Sequence, residues 1–89
     1  MASVMSKSKD KFNLRISLVD GAAADTNMAI AGIATDDEII HSEHISTKAD
    51  NATVVDNTAT MNITSAGNVQ STADVSNDLI RVYWIDVSA

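Results

Sequence analysis

The sequence predicts an all-β protein, a small antiparallel β-sandwich or barrel with a flexible N-terminal arm. Three observations carry this. Two segments, KFNLRISLV over 11–19 and TATMNIT over 58–64, alternate apolar and polar residues with the period of a strand. The closing segment, Leu79 to Val87, is apolar on both parities. Turn signals such as Asp20-Gly21 and Ser65-Ala-Gly-Asn68 punctuate the chain, and no segment has the period of an amphipathic helix.

The elements follow in order. Residues 1–10, MASVMSKSKD, are small and polar without a period and form the arm; residues 11–89 form one β domain. In the first strand Phe12, Leu14, Ile16 and Leu18 make the apolar, half-buried face, against Lys11, Asn13, Arg15 and Ser17. AAADTN, 22–27, is a loop. MAIAGIA, 28–34, reads as a second strand in which Gly32 marks a bulge or a close backbone approach. TDD, 35–37, turns the chain into a third strand, EIIHSEHIS, 38–46, with Ile39, Ile40 and Ile45 as its apolar members. The stretch 47–57 is irregular, with Val54 and Val55 tucked onto the core. Ala59, Met61 and Ile63 share one face of the fourth strand, a hairpin turn follows, and NVQST pairs back with Val69 inward. ADVSND, 73–78, is a loop before the closing strand, the sixth.

Successive strand residues point to opposite faces. Ile80, Val82 and Trp84 therefore face one side of the closing strand, and Leu79, Tyr83, Ile85 and Val87 the other. Both sides need cover. The first set belongs to the internal core. The second, with Tyr83 and Ile85 as its interface candidates, faces a second layer or a subunit neighbour. A domain of 89 residues gains little net stability from its own core. It has no cysteine, so disulfides and thiolate metal sites are excluded, and oligomerisation is the remaining common staple.

Net charge is −6, unevenly spread. Lys7, Lys9, Lys11 and Arg15 precede an acidic body in which only Lys48 and Arg81 are basic. Such a body repels nucleic-acid phosphates. The four N-terminal cations are the candidates for meeting an acidic protein surface. No apolar signal-peptide core and no run of roughly 20 apolar residues is present, so the expected place of synthesis is a cytoplasm, with no membrane partner.

Chemistry is sparsely encoded. His41 and His44 lie three apart, which on a strand sends them to opposite faces, so a shared metal is not expected. Asp36, Asp37 and Glu38 cluster at a turn without the spacing of a calcium loop and read as solvated acids. No serine sits in a nucleophile elbow, and three glycines do not make a phosphate loop. The expectation is a non-enzyme with no cofactor, no metal and no catalytic residue.

The order AIAGIATDDEII, ATMNIT, SAGNVQST and NDLIRVYWIDVSA, over roughly residues 28–89, resembles the small decoration (cement or head-stabilisation) proteins of tailed bacteriophages. There a G-I-x-T-x-D-x-I/L strand precedes a Thr-rich hairpin and a chain-ending apolar strand with an aromatic residue and an acid. The resemblance implies a homotrimer on the outer surface of the phage capsid, made in the host cytoplasm and held in the virion. Its partner would be the major capsid protein, clamped against internal DNA pressure. An N-terminal extension that adds capsid contacts belongs to the same plan. Two other readings fit the residues: another phage structural β-module, such as a tail or fibre segment, and a small metal- or carbohydrate-binding domain using the acidic loops and the histidines.

Overall fold

The computed structural model of the protein describes residues 13–46 and 53–87. They form seven strands: β1 (Asn13–Asp20), β2 (Met28–Ala29), β3 (Glu38–Ser46), β4 (Thr53–Asp56), β5 (Met61–Ser65), β6 (Asn68–Ser71) and β7 (Asp78–Asp86). Two antiparallel sheets pack as a sandwich, one in the order β1-β7-β3-β4, the other β2-β6-β5. The core lies between them: Ile80, Val82 and Trp84 of β7 meet Met28, Met61, Val69 and, from the loops, Ile30, Ile33 and Val75. The all-β sandwich, the 38–46 strand, the Gly67 turn and the inward Ile80/Val82/Trp84 set match the sequence reading.

The first strand corrects it. β1 alternates as expected, but Leu14, Ile16 and Leu18 point away from the core and are 54%, 59% and 60% exposed. Pairing with β7 sets this. Leu14 lies opposite Ile85, Ile16 opposite Tyr83 and Leu18 opposite Arg81, so these share the outer side, while Arg15, Ser17 and Val19 share the inner side with Trp84, Val82 and Ile80. Ser17 is needed inside because its Oγ accepts the indole N–H of buried Trp84 at 3.0 Å. Periodicity gives which residues share a face; only the partner strand says which face is inside.

Other elements shift for local reasons. MAIAGIA is strand only at Met28–Ala29, because the chain turns at Ala31-Gly32, where Gly32 has φ +87°. The glycine is there for backbone conformation; a Cβ would meet nothing within 4 Å. Val54 and Val55 are not tucked onto the core. They lie in β4, paired with Ile45 and His44, and both are exposed. Thr58–Thr60 is a single 3-10 turn that delivers the chain into β5 at Met61. Asp37 is not a solvated turn acid: it is buried and accepts the backbone N–H groups of Ala34 (2.8 Å) and Val87 (3.0 Å), tying the 34–37 turn to the end of β7. The arm, residues 1–10, and Lys48 lie outside the described residues.

Candidate assembly surface

The two outward faces of the sandwich differ in chemistry. On the three-stranded sheet, Asn62 and Gln70 lie opposite each other, as do Ala29 and Asn68. Gln70 and Thr64 both donate to Asn27 Oδ1, at 2.8 and 3.5 Å. This face is amides and hydroxyls, suited to water.

The four-stranded sheet turns a mostly aliphatic face outward. Leu14, Ile16 and Leu18 of β1 adjoin Leu79, Tyr83 and Ile85 of β7 through the register just described. Ile45 of β3 lies opposite Leu79 and Val54 of β4 opposite Ile45, carrying the apolar surface across all four strands. A β-bulge between Ile39 and His41 inserts one residue into β3, so Ile39 packs against the core while Ile40 is 52% exposed. Contiguous apolar surface of this kind, unlike scattered single residues, makes this face the candidate interaction site.

One polar group crosses it. Arg81 donates from Nε and Nη2 to the same Glu43 oxygen, Oε1, at 2.8 and 2.6 Å. The other carboxylate oxygen, Oε2, lies 3.4 Å from His41 Nε2. Tyr83 lies beside both Arg81 and His41: its ring centre is 5.5 Å from that of His41 in a tilted arrangement and 5.9 Å from the Arg81 guanidinium carbon. Arg81, then burial in opposition, then His41 act on the Glu43 carboxyl, and the net result holds it below its ordinary value of 4.5. Asp56 lies directly opposite Glu43, a like-charge pair that costs stability unless each carboxylate is turned elsewhere. Asp56 is turned to Thr58, whose hydroxyl (2.7 Å) and backbone N–H (2.9 Å) lower its pKa.

Tyr83 and Ile85, the interface candidates read from the sequence, are therefore both on this outer face. The larger part of the surface, Leu14, Ile16 and Leu18, was assigned inward by the sequence reading; the two-sided closing strand is the signal that points to an outer layer. Arg15, one of the four cations read as candidates for an acidic partner surface, lies in β1, where its Nε donates to the mostly buried Asp86 carboxylate of the same chain at 2.9 Å. Lys7, Lys9 and Lys11 lie outside the described residues. His41 and His44 face opposite sides of β3, and His44 Nδ1 is 3.0 Å from Asp78 Oδ2.

Among the described residues no three His, Asp or Glu side chains converge to hold a metal ion, and no helix is long and apolar enough to cross a membrane. An open depression beside β1 and β2, about 610 Å³, is lined among the described residues by Leu18, Val19, Gly21, Met28 and Leu79, with Asp20 as the titratable group of that lining. Compared with known family models, curated proteins and solved structures, the chain matches none.

Proposed function

We propose that this protein is a structural assembly protein, a capsid decoration protein that binds the outer surface of a tailed-phage head as a homotrimer and stabilises it. The observation that carries the reading is the aliphatic outer face of the β1-β7-β3-β4 sheet. A domain this small gains from covering such a face, and exposed Leu14, Ile16, Leu18 and Ile40 are otherwise an aggregation liability. The order of strand and hairpin motifs supports the more specific part, through its resemblance to phage decoration proteins. Many copies bound weakly to a repeating shell acquire large avidity without any tight single contact. The basic residues Lys7, Lys9 and Lys11 supply charge complementary to acidic loops of the major capsid protein, its proposed partner.

Co-sedimentation with DNA-free heads of the cognate phage tests this. The reading predicts saturable binding that weakens when Lys7, Lys9 and Lys11 are replaced together by Gln, and heads that resist higher temperature once coated. Heads that sediment without the protein at micromolar concentration contradict it, and would favour a tail or fibre module.

A further inference from the structure

We infer that the interior of the sandwich holds a water-binding site where β3 meets the exit of β4, built from the side chains of Ser42 and Asn57. The pairing of these strands carries on one residue past β4. Glu43 lies opposite Asp56, and the next backbone N–H, that of Asn57, donates to the Ser42 carbonyl at 2.9 Å. Ser42 in turn lies opposite Val82, a member of the core row. Both side chains are inside: Ser42 is 0% exposed and Asn57 8%.

Three buried atoms there, Ser42 Oγ, Asn57 Nδ2 and Asn57 Oδ1, have no hydrogen-bond partner among the described residues. The neighbouring hydroxyls are already committed. Thr58 Oγ1 donates to Asp56 and accepts the Ser42 N–H. Thr60 Oγ1 donates to the Asn57 carbonyl at 2.9 Å, so the Ser71 hydroxyl, 3.3 Å away, spends its hydrogen on Thr60. Ser71 Oγ also accepts the Ala73 N–H at 3.1 Å. The Asn57 carbonyl takes the Thr60 N–H as well. A buried amide and hydroxyl left unanswered are a heavy cost for a domain this small.

The donor and acceptor types select the occupant. Nδ2 only donates, Oδ1 only accepts, and the serine hydroxyl does either. A cation would face the Nδ2 hydrogens, an anion would face Oδ1, and an apolar group would answer none of the three. Water accepts from Nδ2 and donates to Oδ1 or Oγ, and about three partners is what a buried water takes. A direct Ser42–Asn57 bond would satisfy one amide atom and leave the other. Serine at a core position also leaves more room than the valine that faces it on β7. The site has a structural place: β4 is an edge strand with all four side chains exposed, and Asn57 is the first residue after it to enter the interior. Water held there fastens the edge strand to the core.

NMR of the full chain, isotope-labelled, is the test. Wild type should show direct cross-peaks between water and the Asn57 side-chain NH2 of opposite sign in NOE and ROE spectra, the signature of water held by the protein rather than of proton exchange. Relaxation dispersion of the water oxygen should then lose amplitude in Asn57→Leu, which fills the site and keeps the backbone bonds. It should keep that amplitude in Asn62→Leu, on the exposed amide face of the other sheet. Wild-type spectra without such cross-peaks overturn the inference, and this arm needs no variant to fold. A folded Asn57→Leu protein with the wild-type dispersion overturns it too, as does a high-resolution crystal structure in which the Asn57 amide bonds directly to Ser42 with no water between them.

Discussion

Arg81 of β7 and Glu43 of β3 stand directly opposite each other on the outer face, and both Arg81 donors end on one Glu43 oxygen, leaving the other to His41. The Arg81 side chain is 38% exposed and that of Glu43 18%, so the pair is partly open to water and its contribution to the stability of a single chain is small. Its importance is local. It makes the middle of an aliphatic face electrically complete.

The first prediction concerns acid. Arg81 holds the Glu43 carboxyl below 4.5, so the folded chain binds that proton less readily than the unfolded chain. The resulting stability is present above the unfolded value and is lost as pH falls below about 4.5 through the lower folded value. In Arg81→Gln, the side-chain carboxyl of Glu43 should titrate higher than in wild type by NMR, and the loss of stability on acidification should be shallower. Equal midpoints in the two proteins would mean the guanidinium does not act on Glu43.

Thr58 has two tasks, and one substitution separates them. Its Oγ1 donates to Asp56 (2.7 Å) and accepts the backbone N–H of fully buried Ser42 (2.9 Å). Thr58→Val should raise the Asp56 midpoint toward 3.8 without moving Glu43. It should also leave the Ser42 N–H without its acceptor, costing about 1–3 kcal/mol in urea unfolding. Thr58→Ser should restore both. A valine variant as stable as wild type would show that Ser42 finds another acceptor.

The indole of Trp84 donates to Ser17 from within the core. Ser17→Ala should cost about 1–3 kcal/mol by stranding that N–H, and should cost less in a Trp84→Phe background where there is no donor to strand. A double-mutant cycle should give a coupling of roughly 0.5–1.5 kcal/mol; strict additivity would contradict the inward placement of Ser17.

Two glycines should respond differently. A Cβ at Gly21 would run into the Val75 carbonyl oxygen and lie 3.0 Å from that of Asp78, so Gly21→Ala must push backbone apart. We expect a loss of about 3 kcal/mol or more, read as a fall of at least ~12 °C in Tm. At Gly32 the space is open and only the positive φ resists, so Gly32→Ala should cost about 1–2 kcal/mol. The reverse order of the two losses would contradict the packing of the Val75 and Asp78 carbonyls against Gly21.

The strands that read most plainly in the sequence were those whose own pattern was sufficient. β3 falls on Glu38–Ser46 as expected, and β7 places Trp84 inside and Tyr83 outside. What sequence left unread was set by partners. The inward side of β1 depends on Ser17 meeting Trp84, a contact across 67 residues. The burial of Asp37 depends on the Val87 N–H arriving from the far end of the chain. The outer apolar face was half legible: Tyr83 and Ile85 point to it through a strand apolar on both sides, while Leu14, Ile16 and Leu18 conceal it by looking like an ordinary core-facing row.

Hydroxyl-radical footprinting of the wild-type chain, dilute and concentrated, tests most directly whether that surface is an interface. The account predicts that labelling of Leu14, Ile16, Leu18, Ile40 and Tyr83 falls on concentration, that Asn62 and Thr64 on the other sheet do not change, and that buried Met28 and Met61 stay weakly labelled throughout. Equal labelling of the outer face at both concentrations would contradict it.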